Sequence, residues 1–250
     1  FYYMQYEIDF LPVGEWSKWW DAIAIRYWDF SRRDLFKVVV IDWWTKASWE
    51  LVVKHIKEHF QTEQVDCIIA THFHQDHIWW ISEIINWLTI WAIVMHRPWT
   101  YSKTIKKMTI TEMSISKLEQ KLEKSLNWLS NLEDSANQEN IPIYECFAGE
   151  HIFQDELIVV WPTKEYYEQL LANFSATPEV KEGFSLIEKT EQFIKTATET
   201  AIEWIWEALH IETLTDDYED TSPENNSSIV LLLRIDWKRL LFTGDCWKEW

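Results

Sequence analysis

Residues 71–77 read Thr-His-Phe-His-Gln-Asp-His, so three histidines and an aspartate fall within six residues. The apolar run 65–71 precedes them and has the composition of a buried strand. Side chains two apart on an extended chain share a face, so His72 and His74 leave the strand end pointing the same way. Both imidazoles can hold one ion, while Asp76 and His77 on the following turn can reach a second. Such donors suit a borderline-soft cation such as zinc. Two adjacent ions lower the pKa of a shared water towards neutrality and clamp both the attacking and the substrate oxygen, which is the chemistry of hydrolysis. A histidine-rich surface turn or a structural zinc site is the plainer alternative, and the order H-x-H-x-D-H behind a strand argues against it.

These side chains need a sheet to carry them. Apolar strand-like runs at 22–27 and 36–42, a helical spacing over 46–60, the strand at 65–71, a short helix at 81–88 and a strand at 89–96 give a βαβ rhythm, hence a layered α/β domain. Residues 102–137 contain no Pro or Gly and carry Leu118, Leu122, Leu126 and Leu129 at helical spacing, which predicts one long amphipathic helix. A strand at 156–161 leads to a helix opened by Pro162 and capped by Thr163, running to residue 174. Residues 179–209 read as helix-rich, 212–226 as an exposed acidic loop, and 227–236 with 238–243 as a hairpin whose turn holds Asp236-Trp237. One domain over 1–250, with helical insertions at about 102–137 and 179–209, accounts for this order.

Composition narrows the function. The net charge of −18 lacks the basic footprint of a general nucleic-acid binder, although a local basic groove remains compatible with it. No apolar stretch is long enough to span a bilayer, and the N-terminus has no basic region before an apolar run, so a protein without a membrane segment is expected. Three widely spaced cysteines, Cys67, Cys146 and Cys246, make neither a disulfide framework nor a CxxC knuckle and fit a reducing cytoplasm. Ordinary usage of about 7% Gly would give roughly 17 glycines, whereas the chain has 4 Gly and 19 Trp. Many tryptophans stand where turn chemistry wants glycine, as at Trp43, Trp44 and Trp237, which is the pattern of systematic Gly-to-Trp replacement, with a natural tryptophan-rich protein using aromatic residues for core or ligand stacking as the plainer alternative.

The segment from Thr71 to Trp80 resembles the T-H-x-H-x-D-H-x-G-G signature of the metallo-β-lactamase superfamily, with Trp79 and Trp80 at the two glycines. Val13-Gly14-Glu15-Trp16 through Asp21-Ala22-Ile23 is similar to the V-G-x-G-D-A-I pattern of its competence-protein-like members, and Asp42-Trp43-Trp44 to their D-G-G. Trp161-Pro162 through Tyr166-Tyr167 looks like their L-G-P-x-x-x-Y-Y element, and Asn225-Asn226-Ser227-Ser228 like their N-N-x-S strand. Leu241 through Asp245 resembles the L-x-T-G-D motif.

The resemblance implies an αββα sandwich and a bridging role for Asp245. In relatives a third histidine on the first metal lies about twenty residues before T-G-D, where this chain has Asn225 and Asn226, so an asparagine contact is expected there. His96, after a strand that would end at the site, is a further possible contact, with an ordinary loop histidine as the plainer reading. The family continues past T-G-D with a strand, a helix and a last histidine, whereas this chain stops at Trp250, so a C-terminally incomplete fold is expected.

The function implied is metal-dependent hydrolysis of a phosphodiester or another ester, small-molecule or nucleic-acid. The ions would be two divalent metals, zinc first and manganese second, with Asp76 also orienting the attacking water. The competing reading is a non-catalytic binding or scaffold protein that keeps the fold with incomplete metal sites. Protein partners are not readable from the sequence.

Overall fold

The computed structural model describes residues 4–12, 21–29, 36–42, 49–78, 81–153, 156–181 and 222–246. The chain divides into two compact units, one of Phe1–Arg97 with Glu123–Cys146 and one of Pro98–Leu122 with Phe147–Trp250.

The first unit is built on a six-stranded sheet. Its strands are β1 (Met4–Pro12), β2 (Asp21–Asp29), β3 (Phe36–Ile41), β5 (Cys67–Ile69), β7 (Ile93–Val94) and β8 (Ile143–Tyr144), adjacent in that order. β1, β2 and β3 pair antiparallel, and β3, β5, β7 and β8 run parallel. Val39, Val40, Ile41, Cys67, Ile68, Ile69, Ile93 and Val94 are all buried. Continuous β-branched runs of this kind suit parallel strands covered on both faces. A two-stranded parallel pair, β4 (Gln64–Val65) with β6 (Thr89–Ile90), lies beside it in sequence. β1 has no counterpart among the strands expected from the sequence, because Glu7 and Asp9 interrupt its apolar residues.

The helix expected over 46–60 is observed as α1 (Trp49–Lys54), which passes into a π-helical turn, His55–His59, closed by the Phe60 N–H donating to the His55 carbonyl at 3.1 Å. Short helices α2 (Gln75–Ile78) and α3 (Ile81–Ile84) follow β5. The single helix expected over 102–137 is instead three: α4 (Ser102–Met108), α5 (Ile115–Ser125) and α6 (Asn127–Gln138). Thr109 is extended at φ −105°, ψ 158°, with its hydroxyl returned to the Ile105 carbonyl, and this stops α4. Leu126 leaves helical geometry between α5 and α6. The leucine stripe survives the breaks, with Leu118, Leu122, Leu126 and Leu129 buried. α6 packs against α2 and α3.

The second unit carries a four-stranded antiparallel sheet of β9 (His151–Ile152), β10 (Leu157–Trp161), β11 (Val230–Ile235) and β12 (Lys238–Phe242). Thr163 caps α7 (Lys164–Leu170) by accepting the Tyr166 N–H at 3.2 Å, as expected from the sequence. Ser222 likewise caps α8 (Pro223–Asn226). Here the expected exposed loop is corrected: Glu224 and Asn226 are buried, and Glu224 accepts the Ser175 N–H at 2.7 Å. In the β11–β12 turn Asp236 takes the left-handed φ of 53°, and Trp237 projects into water at 77% exposure. The rest of the acidic run, most of 179–209 and the segments holding Val13, Gly14, Trp16, Trp43, Trp44, Trp79 and Trp80 lie outside the described residues.

Both units combine a sheet with helices, the α/β class expected. Among the described residues no helix is long and apolar enough to cross a membrane.

Candidate metal centre

Three neighbouring parallel strands of the first unit deliver their carboxyl ends to chemistry-bearing residues. β3 runs into Asp42, β5 into Thr71 and His72, and β7 into His96. The carboxyl edge of an open α/β sheet is where such folds place ligands.

Asp42 and Thr71 lock two of these ends together. The Thr71 N–H donates to Asp42 Oδ1 at 2.8 Å, and the Thr71 hydroxyl donates to Asp42 Oδ2. Asp42 reaches this position at a left-handed φ of 44°, which Asp tolerates better than most residues. Because the hydroxyl proton goes to the carboxylate, Thr71 Oγ1 must accept from its other neighbour, His72 Nδ1, at 3.1 Å. That fixes the tautomer of His72: Nδ1 carries the proton and Nε2 keeps its lone pair. Burial, reinforced by the charge of His77 and then His74, pushes the His72 pKa well below its ordinary value, so the ring is neutral. A neutral imidazole with an unprotonated Nε2 is the form that binds a metal ion.

The His72 Nε2 atom faces His74 Nδ1 at 3.0 Å. Ligand bonds of 2.0–2.1 Å in a tetrahedral zinc site place donor atoms about 3.3 Å apart, so this pair is close to the spacing of two ligands on one ion. The His77 ring is fully buried, its centroid 4.0 Å from that of His72, with Nδ1 3.5 Å from Asp42 Oδ2. Asp42, His72 and His77 each offer a ligand atom within 4.8 Å of the others. The loop is held from behind: Phe73 is buried, and its carbonyl accepts the Trp128 indole N–H of α6 at 2.8 Å. The donor set therefore fits a divalent cation.

His72, His74 and His77 lie side by side. Asp76 lies on α2, and its side chain is outside the described residues. His96 is buried, and its Nε2 donates to the Cys146 carbonyl at 2.9 Å. Burial lowers its pKa to about 4, against the opposing effect of that hydrogen bond. The remaining expected residues belong to the second unit. Asp245 follows β12 in a tight turn made possible by Gly244 at φ 54°. Asn225 Oδ1 is buried without a hydrogen-bond partner among the described residues, whereas the Asn226 carbonyl accepts the Trp161 indole N–H at 3.1 Å. Buried Cys67 and Cys246 are inert thiols, with Cys246 pushed up to about 12 by burial. Asp42 is the residue that sequence reasoning missed, although its position at a strand end, in a D-G-G-like element, was the available signal.

Residues 37–139 match the metallo-beta-lactamase superfamily. Among solved structures, the chain is similar to a protein of Thermotoga maritima provisionally assigned as a metallo-beta-lactamase, at 14% identity over 63% of this chain and 65% of that one, TM-score 0.35. It is also similar to the hydrolase AbOPH of the beta lactamase superfamily, at 17% identity over 59% of this chain and 50% of that one, TM-score 0.32. The chain spans less than two thirds of the length of either. No curated protein matches it. The matched segment, 37–139, carries Asp42, Thr71 and all three clustered histidines.

Proposed function

We propose that this chain is a metal-dependent hydrolase acting on a phosphodiester or another ester, with His72 and His74 on one divalent ion and Asp76 and His77 on a second. The T-G-D resemblance alone makes Asp245 a further candidate metal ligand. Zinc is the first candidate and manganese the second. When bound, such ions supply an acidified water and neutralise charge on the substrate oxygen.

The chain's own residues do the rest. Asp42 and Thr71 hold His72 in its ligating tautomer, burial keeps that ring neutral, and Asp76 orients the attacking water. The competence-like pattern favours a phosphodiester, and a nucleic-acid substrate would need a local basic groove against the overall charge of −18. The single observation that carries the reading is the hydrogen-bond relay from Asp42 through Thr71 to His72 Nδ1, because it leaves Nε2 unprotonated.

A second reading, a non-catalytic scaffold with incomplete metal sites, draws support from Asn225 and Asn226 in place of a histidine and from Trp79 and Trp80 at the signature glycines. Metal content and hydrolysis of bis(p-nitrophenyl) phosphate separate the two, measured on the wild type, His74→Ala and the double change Trp79→Gly with Trp80→Gly. The hydrolase reading expects bound metal and turnover that His74→Ala cuts by more than about 100-fold. Fewer than one tightly bound ion per chain and no turnover, even after the glycines are restored, would sink the hydrolase and favour the scaffold.

A further inference from the structure

A second group of imidazoles and carboxylates lies away from the strand ends. On β1, Glu7 and Asp9 are two residues apart and so project from one face of the strand. Opposite them, the π-helical turn presents His55 and His59. The wider winding of a π turn brings residues four apart nearly into line, and the two rings lie 4.8 Å apart. Such turns recur at functional sites.

The donor atoms converge. His55 Nε2 is 2.9 Å from Asp9 Oδ2, His59 Nε2 is 4.0 Å from the same oxygen, and His59 Nε2 is 2.7 Å from Glu7 Oε1. Asp9, His55 and His59 each place a ligand atom within 4.8 Å of the others. Tetrahedral zinc wants about 3.3 Å between donors, and these separations straddle that value. His59, half-exposed at 54%, is the ring free to adjust.

Arg26, paired with Glu7 across the β1–β2 ladder, donates to Glu7 Oε2 at 2.6 Å and leaves Oε1 directed at the histidines.

We propose that Asp9, His55 and His59 form a second divalent-cation site of the zinc class, which pins the π turn to the edge strand β1. The ion is structural, and ligands of this kind select zinc, copper or nickel over calcium and magnesium. On binding, each Nε2 exchanges its hydrogen bond for a bond to the ion, and any proton held there goes to solvent. The inference stands independently of the hydrolase reading.

Zinc alone is the probe. After equilibration with zinc and removal of free ion, the double variant His55→Gln with His59→Gln should hold about one ion fewer per chain than the wild type, while the ion content that depends on His74 stays in place. In the wild type, zinc should slow diethylpyrocarbonate modification of His55 and His59 several-fold, with exposed His151 as an unaffected internal reference. Equal zinc content in the variant and wild type overturns the proposal. So does equal modification of His55 and His59 with and without zinc, a result that remains decisive if the double variant does not fold.

Discussion

Asp42, His72 and His77 sit in the dry interior at the ends of parallel strands, whereas Asp9, His55 and His59 sit on an edge strand and a helical turn in contact with water. Both groups contain two imidazoles and a carboxylate, yet their environments ask different things of them. In the interior the carboxylate speaks to a histidine through a threonine hydroxyl, so its effect is to choose a tautomer. On the surface the carboxylates touch the imidazoles directly, so they compete with any ion for the same nitrogen atoms. The first arrangement is pre-organised for an ion, and the second must exchange contacts to take one.

The sharpest way to break this contrast is Asp42→Asn. An amide in place of Oδ2 would turn the Thr71 hydroxyl round, so that His72 Nδ1 must accept and Nε2 must carry the proton. Zinc titration calorimetry should show an affinity at the strand-end site lower by about 10–100-fold. Thr71→Val should cost about as much, and the two changes together should cost little more than either, because they break one relay. Equal affinity in wild type and Asp42→Asn would refute the tautomer argument.

A second test uses pH. His96 has a folded pKa lowered to about 4, against about 6.5 unfolded. A depressed histidine pKa contributes stability that is complete above the unfolded value and lost as pH falls through the window down to the folded one. Between pH 7 and 5 this amounts to about 2 kcal/mol. Urea unfolding of His96→Gln should lack that share of the acid-induced loss, and an unchanged slope would remove His96 from the account.

Smaller effects follow from the supports. Trp128→Phe removes the indole N–H that holds the Phe73 carbonyl and should lower stability by about 1 kcal/mol in urea unfolding. The least effect is expected at the surface group: Glu7→Gln, measured with a chelator present, should cost less than about 1 kcal/mol and less again in high salt, because its partners are solvent-screened. A larger loss would place Glu7 with the interior group.

What the sequence discloses follows the range of the interactions involved. The H-x-H-x-D-H spacing, the Thr163 cap and the buried leucine stripe are set by residues within one or two turns of each other, and all are readable from local pattern. Asp42 and Thr71 are 29 residues apart, and nothing local tells that one closes on the other. Thr109 ends α4 through a hydroxyl return that a periodicity reading passes over, so three helices look like one. Glu224 is buried because a distant backbone N–H needs an acceptor, while its neighbours in sequence advertise a solvated loop. β1 hides behind Glu7 and Asp9, whose partners lie about fifty residues further along the chain.

Asp42 also sets a limit on how this segment can drift. Its left-handed backbone favours Gly, Asn and Asp over side chains that branch at Cβ. Accepting from the Thr71 N–H excludes Gly, and accepting from the Thr71 hydroxyl at the same time excludes Asn. Of the twenty residues one satisfies all three demands, and a single transition in an aspartate codon, to asparagine, is enough to lose it. In a library of random point substitutions, position 42 should tolerate less than its place beside two bulky tryptophans would suggest, and metal-dependent selection should empty it of everything except aspartate.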